Sequence, residues 1–221
     1  MEPLKQGLNI VFRGNFNPAI FHPSWFASHG LIRSQEVDAA KVQIVHPDAA
    51  VFTAEWLEIN VVRDRFQAAT VQESYYEVLR DLVIGVLNLL SHTPLRVMGL
   101  NCEFHYQLRS EDAWHSVGHR LVPKADWKDL LEKPGMKSLI VEGVRPDDLK
   151  GYIRVKVEPS TRVSYGVYVE VNDHYDLRQS DDTISGASEA MRILSERWSD
   201  SMKRSVSIAQ KIASLGSEDL G

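Results

Sequence analysis

The pattern of apolar and polar residues along this chain predicts a series of short, half-buried strands. Residues 8–13 alternate, with Leu8, Ile10 and Phe12 on one side, which is the period of a strand with one buried face. Two further alternating segments flank the turn signal Pro47-Asp48 and predict an antiparallel hairpin. The segments with strand-like patterns are 8–13, 41–47, 50–62, 95–108, 137–144, 151–159 and 162–173.

Two longer segments have the spacing of amphipathic helices. Thr70 and Glu73 form a T-x-x-E capping box ahead of a broad apolar stripe, which predicts a helix over 71–91. Residues 184–214 place an apolar side chain every three or four positions, and only a helix gathers that spacing on one side. Shorter helices are predicted at 24–30, 110–121 and 124–132.

The chain also contains a candidate internal repeat. Gly-Leu-Asn occurs at residues 7–9 and again at 99–101, and residues 41–91 align without a gap on residues 153–203, at an offset of 112. In this alignment the predicted strand pair, the turn and the apolar stripe of the helix all match at the same offset. A shared hydrophobic phase is a stronger sign of repetition than a shared tripeptide.

These elements predict a single two-layer α+β domain over residues 1–221. We expect a largely antiparallel sheet with the two long helices on one face, built from an internal duplication. The two pseudo-repeats would cover 7–91 and 95–214, and the second would carry an inserted helical segment at 109–136. At the level of the fold, this plan is similar to the duplicated saddle of the TATA-box-binding protein.

Composition places the chain among ordinary globular proteins. It has 221 residues, of which 43% are hydrophobic and 25% charged, with a net charge of −5 and a pI near 5.9. Proteins whose main partner is duplex nucleic acid normally carry a basic domain or stripe instead. The single cysteine, Cys102, excludes an internal disulfide and lies on an apolar track, which predicts a small buried side chain.

We expect a cytoplasmic protein without a membrane span. The first residues contain no long apolar segment of the kind found in signal peptides. The longest apolar stretch, 78–90, is interrupted by Arg80 and Asp81 and is too short to cross a bilayer.

Residues 56–106 resemble a sporadically distributed family of uncharacterised bacterial proteins. The family continues its glycine-leucine strand with an arginine-aromatic pair, where this chain has Asn101-Cys102. Residues 166–177 resemble the family's later strand more faintly. The resemblance implies a bacterial protein and brings no activity and no catalytic residues. The matching elements are Asp64-Arg65-Phe66 at a strand end, Tyr75 or Tyr76 at a helix start, and Gly99-Leu100-Asn101 in the next strand.

A candidate metal site lies on the predicted helix 110–121. Asp112, His115 and His119 are spaced i, i+3, i+7 and share a face, and two histidines four residues apart can bind one zinc ion. The glutamate that accompanies such pairs in metalloproteases is absent from H-S-V-G-H, and polar residues gather on the solvent face of any amphipathic helix. We therefore expect no structural metal and no cofactor.

A second cluster, Asp173, His174 and Asp176, lies at the end of the predicted strand 162–173. Carboxylates beside a histidine could hold a hard cation. Their spacing misses the EF-hand pattern, and asparagine and aspartate are common in turns, so we interpret this segment as a turn.

Strand alternation also predicts a polar face on the sheet. If Leu57, Ile59 and Val61 point at the helices, with Val169 and Val171 in the second half, the intervening side chains point away. Cross-strand charge pairs are common on solvated sheets, but aromatic residues among them favour a binding face, with Trp56 and Tyr168 as anchors covered by a partner, a second copy or segment 109–136. The candidate face comprises Trp56, Glu58, Asn60, Glu103, His105, Arg154, Tyr168, Glu170 and Asn172, with Asn9, Arg13, Asn101, Tyr152 and Lys156 beside them.

These features favour a non-enzymatic binding or adaptor protein that acts through a protein–protein interface, with another protein or as a homo-oligomer such as a dimer. The alternative is an enzyme or small-molecule binder with a polar site where the repeats meet, near Glu58, Glu103 and His105, since paired carboxylates beside a histidine can do acid–base chemistry. A weaker alternative is nucleic-acid binding through Arg13, Arg154 and Lys156. Sequence motifs for dinucleotides, P-loops, serine hydrolases, zincins and dithiol redox chemistry are absent.

Overall fold

Nine strands form one antiparallel sheet in the computed structural model, which describes residues 1–177 and 186–216. Within those residues the sheet is accompanied by six α-helices and three 3-10 turns, so the fold is α+β, as predicted. The strands are β1 (Lys5–Gly14), β2 (Lys41–His46), β3 (Ala49–Ala54), β4 (Leu57–Val62), β5 (Arg65–Thr70), β6 (Leu95–Gln107), β7 (Leu139–Val144), β8 (Gly151–Pro159) and β9 (Gly166–Asp176). The helices are α1 (Pro23–Ser28), α2 (Ser34–Asp38), α3 (Tyr76–Leu89), α4 (Glu111–Leu121), α5 (Gly186–Glu196) and α6 (Trp198–Ser214), and the 3-10 turns are Pro18–Ile20, Glu73–Tyr75 and Ala125–Trp127.

Strands β1 and β6 lie side by side in the middle of the sheet. The order across the sheet is β2-β3-β4-β5-β1-β6-β9-β8-β7. After each inner strand the chain crosses to an edge and returns by an antiparallel meander, so β5 ends beside β1 and β9 ends beside β6. The two copies of Gly-Leu-Asn lie on the inner strands, where Asn9 pairs directly with Asn101. An internal duplication would produce this order, and it stays a prediction.

The predicted offset of 112 residues is wrong for the strands. It lays Ile59 of β4 on Val171 of β9, but β9 pairs with the inner strand β6, whereas β4 pairs with β3 and β5. The strand in the position of β9 is β5, which the hydrophobic pattern did not predict. Residues 50–62 form two strands because the chain turns at Glu55, where φ is 37°. A positive φ at a residue other than glycine leaves no signal in the composition.

The predicted long helix at 184–214 is divided in the structure. Its first two residues lie outside the described part of the chain, and the rest forms α5 and α6, which meet at Arg197. Helix α5 packs against α3 and β6, while α6 lies over β9 and β6. The break therefore lets one apolar stripe cover two different parts of the sheet.

The other long helix, predicted over 71–91, begins at Tyr76 instead. Glu73 lies in a 3-10 turn, where its carboxylate accepts a hydrogen bond from Gln6 Nε2 (2.6 Å) rather than capping the helix. The capping box is therefore not formed. Glu73 precedes the helix, and its carboxylate is bound by Gln6 of β1 instead.

Residues 109–136, predicted as an inserted helical segment, contain one α-helix rather than two. Helix α4 begins after Ser110, whose Oγ accepts a hydrogen bond from the amide of Ala113 (3.1 Å). The helix predicted at 124–132 is reduced to the turn Ala125–Trp127. The apolar side chains of this stretch, Trp127, Leu130 and Leu131, are exposed, so no buried face stabilises so short a helix.

The helices cover the apolar side of the strands. Ile59, Ala68, Ile10 and Leu100 lie in one row across β4, β5, β1 and β6, and all four are fully buried. Burying one large aliphatic side chain contributes about 1.5–3 kcal/mol, so this row is a main source of stability. The strand residues predicted to face the helices, Leu57, Ile59, Val61, Val169 and Val171, are all buried.

Asp173 interrupts the apolar side of β9, where it is completely buried. It pairs in register with Leu100 and Ile153, so strand alternation alone calls for an apolar side chain at this position. Its carboxylate instead accepts hydrogen bonds from the Arg145 guanidinium, Ser201 Oγ (2.6 Å), Arg204 Nη2 (2.8 Å) and Tyr175 Oη (3.1 Å).

A second carboxylate balances the charge of this buried ion network. Asp147 accepts hydrogen bonds from Arg145 (2.7 and 2.9 Å) and lies 3.7 Å from Arg204. The Arg145 side chain is 1% exposed, and its guanidinium lies 3.8 Å from the centre of the Tyr175 ring. Buried charges are costly unless they are paired and hydrogen-bonded. The network therefore ties the loop before β8, strand β9 and helix α6 into one arrangement.

We expect Asp173→Asn to lower the free energy of unfolding by about 3 kcal/mol, because it leaves two arginines of the network with a single carboxylate, Asp147. Chemical denaturation followed by circular dichroism measures the change. Asp176→Asn, the same substitution at the exposed end of β9, is the control and should cost less than about 0.5 kcal/mol. Equal losses in the two variants would contradict this prediction.

Candidate functional site

The sheet face opposite the helices, called the open face, gathers most of the predicted binding residues. A single row of side chains, the central row, crosses all nine strands because neighbouring strands are in register. Every residue of this row is exposed or half-exposed. From the β2 edge to the β7 edge, the central row is Lys41, Thr53, Glu58, Ala69, Asn9, Asn101, Asn172, Arg154 and Glu142.

Three asparagines occupy the middle of the central row. Asn172 Nδ2 donates a hydrogen bond to Asn101 Oδ1, and Asn101 Nδ2 donates one to the backbone carbonyl of Asn9 (3.3 Å). The repeated Gly-Leu-Asn motif thus places matching amide side chains on both sides of the β1–β6 junction.

Two glutamates face each other next to the asparagines. Glu103 on β6 pairs in register with Glu170 on β9, and Lys156 on β8 stands opposite Glu170. Burial raises the pKa of Glu103, and the negative charge of Glu170 raises it further. Tyr168 Oη donates a hydrogen bond to Glu170 Oε2 (2.8 Å). The two neighbouring carboxyl groups offer hydrogen-bond acceptors toward one ligand.

A polar pocket, called the Glu103 pocket, adjoins these glutamates. His105 is 5% exposed; its Nδ1 lies 2.8 Å from Ser160 Oγ, and its ring centroid lies 4.9 Å from that of Tyr168. Burial lowers the pKa of His105, as do the positive charges of Arg162 and Lys5, so the imidazole is neutral at neutral pH. The pocket is lined by Glu103, His105, Lys156, Glu158, Pro159, Thr161, Arg162 and Tyr168.

Glu58 does not belong to this pocket. It lies on β4, and strands β5 and β1 separate it from Glu103 and His105 on β6. Asn60 lies on the same remote strand, opposite Gln67. The polar site predicted at the junction of the two halves is therefore reduced to Glu103 and His105.

The three cations considered for nucleic-acid binding each lie beside a carboxylate. Nucleic acid binds to positive charge that phosphates can neutralise, so this arrangement does not support a nucleic-acid interface. The ion pairs are Arg13–Asp64 (2.5 Å), Arg154–Glu142 (2.8 Å) and Lys156–Glu158 (3.0 Å).

Trp56, predicted as an anchor of the open face, lies in the core instead. It occupies the turn between β3 and β4, is 5% exposed, and stacks on Tyr75 with ring centroids 4.9 Å apart. Its indole N–H donates to Glu36 Oε1 (2.7 Å). Although burial raises the pKa of Glu36, hydrogen bonds from Arg33 and Trp56 lower it overall, so the carboxylate is charged. The predicted equivalence with Tyr168 fails because Trp56 is a turn residue rather than a strand residue.

The cluster at 172–176 is part of strand β9 rather than a turn, and its side chains are divided between the two faces. Asp173 lies in the buried ion network. His174 lies on the open face, where it stacks on Tyr152 with ring centroids 4.1 Å apart and lies 3.2 Å from Asp176. Strand alternation therefore separates the carboxylates that a cation would need together.

The helix candidate for a metal site does not gather three ligands. His115 and His119 lie one turn apart on α4, with ring centroids 6.2 Å apart, and Asp112 lies in the first turn. Across residues 1–177 and 186–216, no group of three or more His, Cys, Asp or Glu side chains is arranged to hold a metal ion.

Cys102 is buried beneath α6, as predicted for an apolar position. Its Sγ lies 3.8 Å from Met202 Sδ. Burial raises the pKa of the thiol to about 12, so it is protonated and unsuited to nucleophilic chemistry at neutral pH.

The sequence pattern did not predict two residues of this site, Arg162 in the lining of the Glu103 pocket and Ser160 next to it. Ser160 and Arg162 belong to the turn between β8 and β9, in the run Ser-Thr-Arg after Pro159. Such a polar run is typical of any turn. Only the packing of this turn against His105 makes the two residues part of a site.

No protein-family model matches this chain, and no curated protein matches it. Of the helices that the structure describes, none is both long enough and apolar enough to cross a membrane.

We expect Trp56→Ser to lower the free energy of unfolding by about 3 kcal/mol, because it removes a buried ring and the donor to Glu36. Tyr168→Ser changes a half-exposed residue of the open face and should cost about 1 kcal/mol or less. Urea denaturation of the two variants compares them directly. A larger loss for Tyr168→Ser would reverse this assignment of buried and open positions.

We expect Glu103→Gln to stabilise the protein at neutral pH. The pKa of Glu103 is raised above its ordinary value of 4.5, so the folded protein favours the protonated carboxyl group. The folding stability that this protonation provides is lost as the pH rises through the pKa of the folded state. Glutamine resembles the protonated form, so its advantage should shrink as the pH falls toward about 4. Thermal melts across this pH range test the trend, with Glu58→Gln on β4 as the control. A gain that is independent of pH would contradict the explanation.

Proposed function

We propose that this chain is a binding protein that joins another protein chain along the free edge of β7. The observation that carries the proposal is the exposed apolar side chains of this strand: Ile140 is 59% exposed, Val141 55% and Val144 92%. Strand β7 pairs with β8 on one side and ends the sheet on the other. An edge strand with unpaired backbone groups and exposed apolar side chains is a template for a further strand.

Both sides of β7 suit an incoming strand. Ile140 and Val144 flank Glu142 on the open face, whereas Val141 lies toward the helix-covered side. Glu142, the single charged residue of β7, accepts hydrogen bonds from Arg154 (2.8 and 3.1 Å). Its charge is therefore compensated within the chain, and the incoming strand meets mainly apolar surface.

The opposite edge of the sheet is less suited to strand addition. Strand β2 also exposes apolar side chains, Val42, Ile44 and Val45. However, its pairing with β3 shifts register between Val42 and Ile44, and it begins at Lys41. Bulges and edge lysines discourage further pairing, whereas β7 pairs with β8 without a shift.

A second copy of this chain is the simplest partner for β7. Two β7 strands in antiparallel orientation would bring Ile140, Val141 and Val144 of both copies together about a two-fold axis. An interface of this kind uses the same patch on both copies and closes on itself. The two nine-stranded sheets would then continue into each other.

Lysines on β7 should abolish this association. We expect the unmodified protein to sediment as a dimer and the double variant Val141→Lys/Val144→Lys to sediment as a monomer, because edge lysines oppose strand pairing. Both side chains are exposed, so the circular dichroism spectrum should not change. Sedimentation velocity over a range of concentrations measures the association.

The matched control places the same two lysines at Val42 and Val45 of β2 and should leave the dimer intact. A dimer that survives lysines on β7 but not on β2 would contradict the choice of edge. A protein that stays monomeric at every concentration would exclude the second copy as the partner. The edge would then have to be tested with strand-forming peptides, and no binding of these would end the proposal.

A further inference from the structure

One buried nitrogen in the Glu103 pocket has no hydrogen-bond partner. His105 is almost fully buried, and its Nε2 has no partner among residues 1–177 and 186–216. Buried polar groups are nearly always paired, so an unpaired one at the wall of a pocket needs an explanation. Whether this nitrogen is a donor or an acceptor decides what ligand could satisfy it.

The hydrogen bonds of Ser160 decide which ring nitrogen of His105 carries the proton. Ser160 Oγ accepts hydrogen bonds from the amides of Arg162 and Val163, both at 3.1 Å, so its two lone pairs are used. Its hydroxyl proton is then donated to His105 Nδ1 (2.8 Å), which must be the unprotonated nitrogen. In a neutral imidazole the proton therefore lies on Nε2. The unpaired group is a donor, and it calls for an acceptor.

The cations near His105 point to an acceptor with negative charge. Arg162 is exposed and has no carboxylate within 4.0 Å in the described part of the chain. Lys5 on β1 pairs in register with His105. The third cation, Lys156, is already paired with Glu158 (3.0 Å). Arg162 also acts on Glu103, whose pKa its charge lowers. Arg162 and Lys5 are nevertheless placed to balance an anion beside Nε2.

The carboxyl groups of the pocket limit the charge of that anion. Glu103 and Glu158 line the pocket and Glu170 adjoins it, so a doubly charged anion such as phosphate would be repelled. A carboxylate carries one negative charge and accepts hydrogen bonds from two directions. A donor group on the same ligand would find an acceptor in Glu103, which faces Glu170 across the strands.

We propose that the Glu103 pocket binds a small organic carboxylate with a hydroxyl or amino group on the carbon next to the carboxyl group. The ligand carboxylate accepts the Nε2–H of His105 and pairs with Arg162, while the neighbouring hydroxyl or amino group donates to Glu103. Because Nε2 is screened from solvent, side chains around the pocket must shift to admit the ligand. This site is separate from the β7 edge, so either proposal can fail without affecting the other.

Nuclear magnetic resonance of the full chain labelled with ¹⁵N tests the proposal. Lactate and alanine are the probes with the neighbouring donor, propionate is the same carboxylate without it, and phosphate is the doubly charged control. We expect lactate or alanine to shift the amide signals of Arg162 and Val163 in a saturable manner. Propionate should bind about tenfold more weakly, because one charge-assisted hydrogen bond is lost.

Variants separate this site from general electrostatics. Arg162→Ala removes an exposed side chain from a turn and should weaken binding about tenfold, since it removes the ion pair to the ligand. Arg154→Ala, which removes a paired arginine from the same face, should leave binding unchanged. His105→Phe should abolish binding, and if that variant does not fold, the Arg162 and Arg154 pair still decides the question.

Several results would overturn the proposal. They are the absence of saturable shifts with all probes, tighter binding of phosphate or propionate than of lactate and alanine, and equal weakening by Arg162→Ala and Arg154→Ala. The ¹⁵N signals of the His105 ring give an independent check without ligand. A proton on Nδ1 instead of Nε2 would remove the donor from which the proposal starts.

Discussion

Pairing between β1 and β6 holds the two meanders of this chain in one sheet. Ten residue pairs join these strands, from Lys5 with His105 to Gly14 with Leu95. Without them the sheet would separate into one unit of five strands and one of four. The pairing also sets the faces, because a slip of one residue would turn Leu8 and Ile10 outward and Asn9 inward. Helix packing and the open face both follow from that register.

Strand β9 links the stability of the core to the geometry of the pocket. Its inward side carries Asp173, which the buried ion network holds against α6, and its outward side carries Glu170 and Asn172. A strand cannot move one side without the other, because successive side chains share one backbone. The position of the Glu170 carboxyl group beside Glu103 therefore depends on arginines that lie on the far side of the sheet.

The hydrophobic pattern predicted the regular parts of the fold well. It found β8 at residues 151–159, β6 to within one residue, helix α4, and the buried side of β4 and β9, because these segments follow a single period. It failed where long-range contacts override local pattern. The turn at Glu55 divided one predicted strand and moved Trp56 into the core, and the contacts of α5 and α6 with different neighbours divided one predicted helix. Asp173 was interpreted as a turn residue, because its charged partners Arg145 and Arg204 lie 28 and 31 residues away along the chain. The pocket was predicted only through Glu103, His105, Lys156 and Tyr168, since the turn that completes it has an ordinary composition.

The two ends of the sheet are unlike, and this difference limits how far copies of the chain could join. A sheet with two receptive ends would grow into a fibre by repeated addition of identical units. Here Gln43 forms a bulge between Val42 and Ile44, which shifts the register of β2 against β3. Strand β7 pairs with β8 without a shift. Association through β7 would pair the receptive edges of both copies with each other and leave both β2 edges exposed. If copies of the chain join as proposed, the bulge at Gln43 would keep the assembly finite.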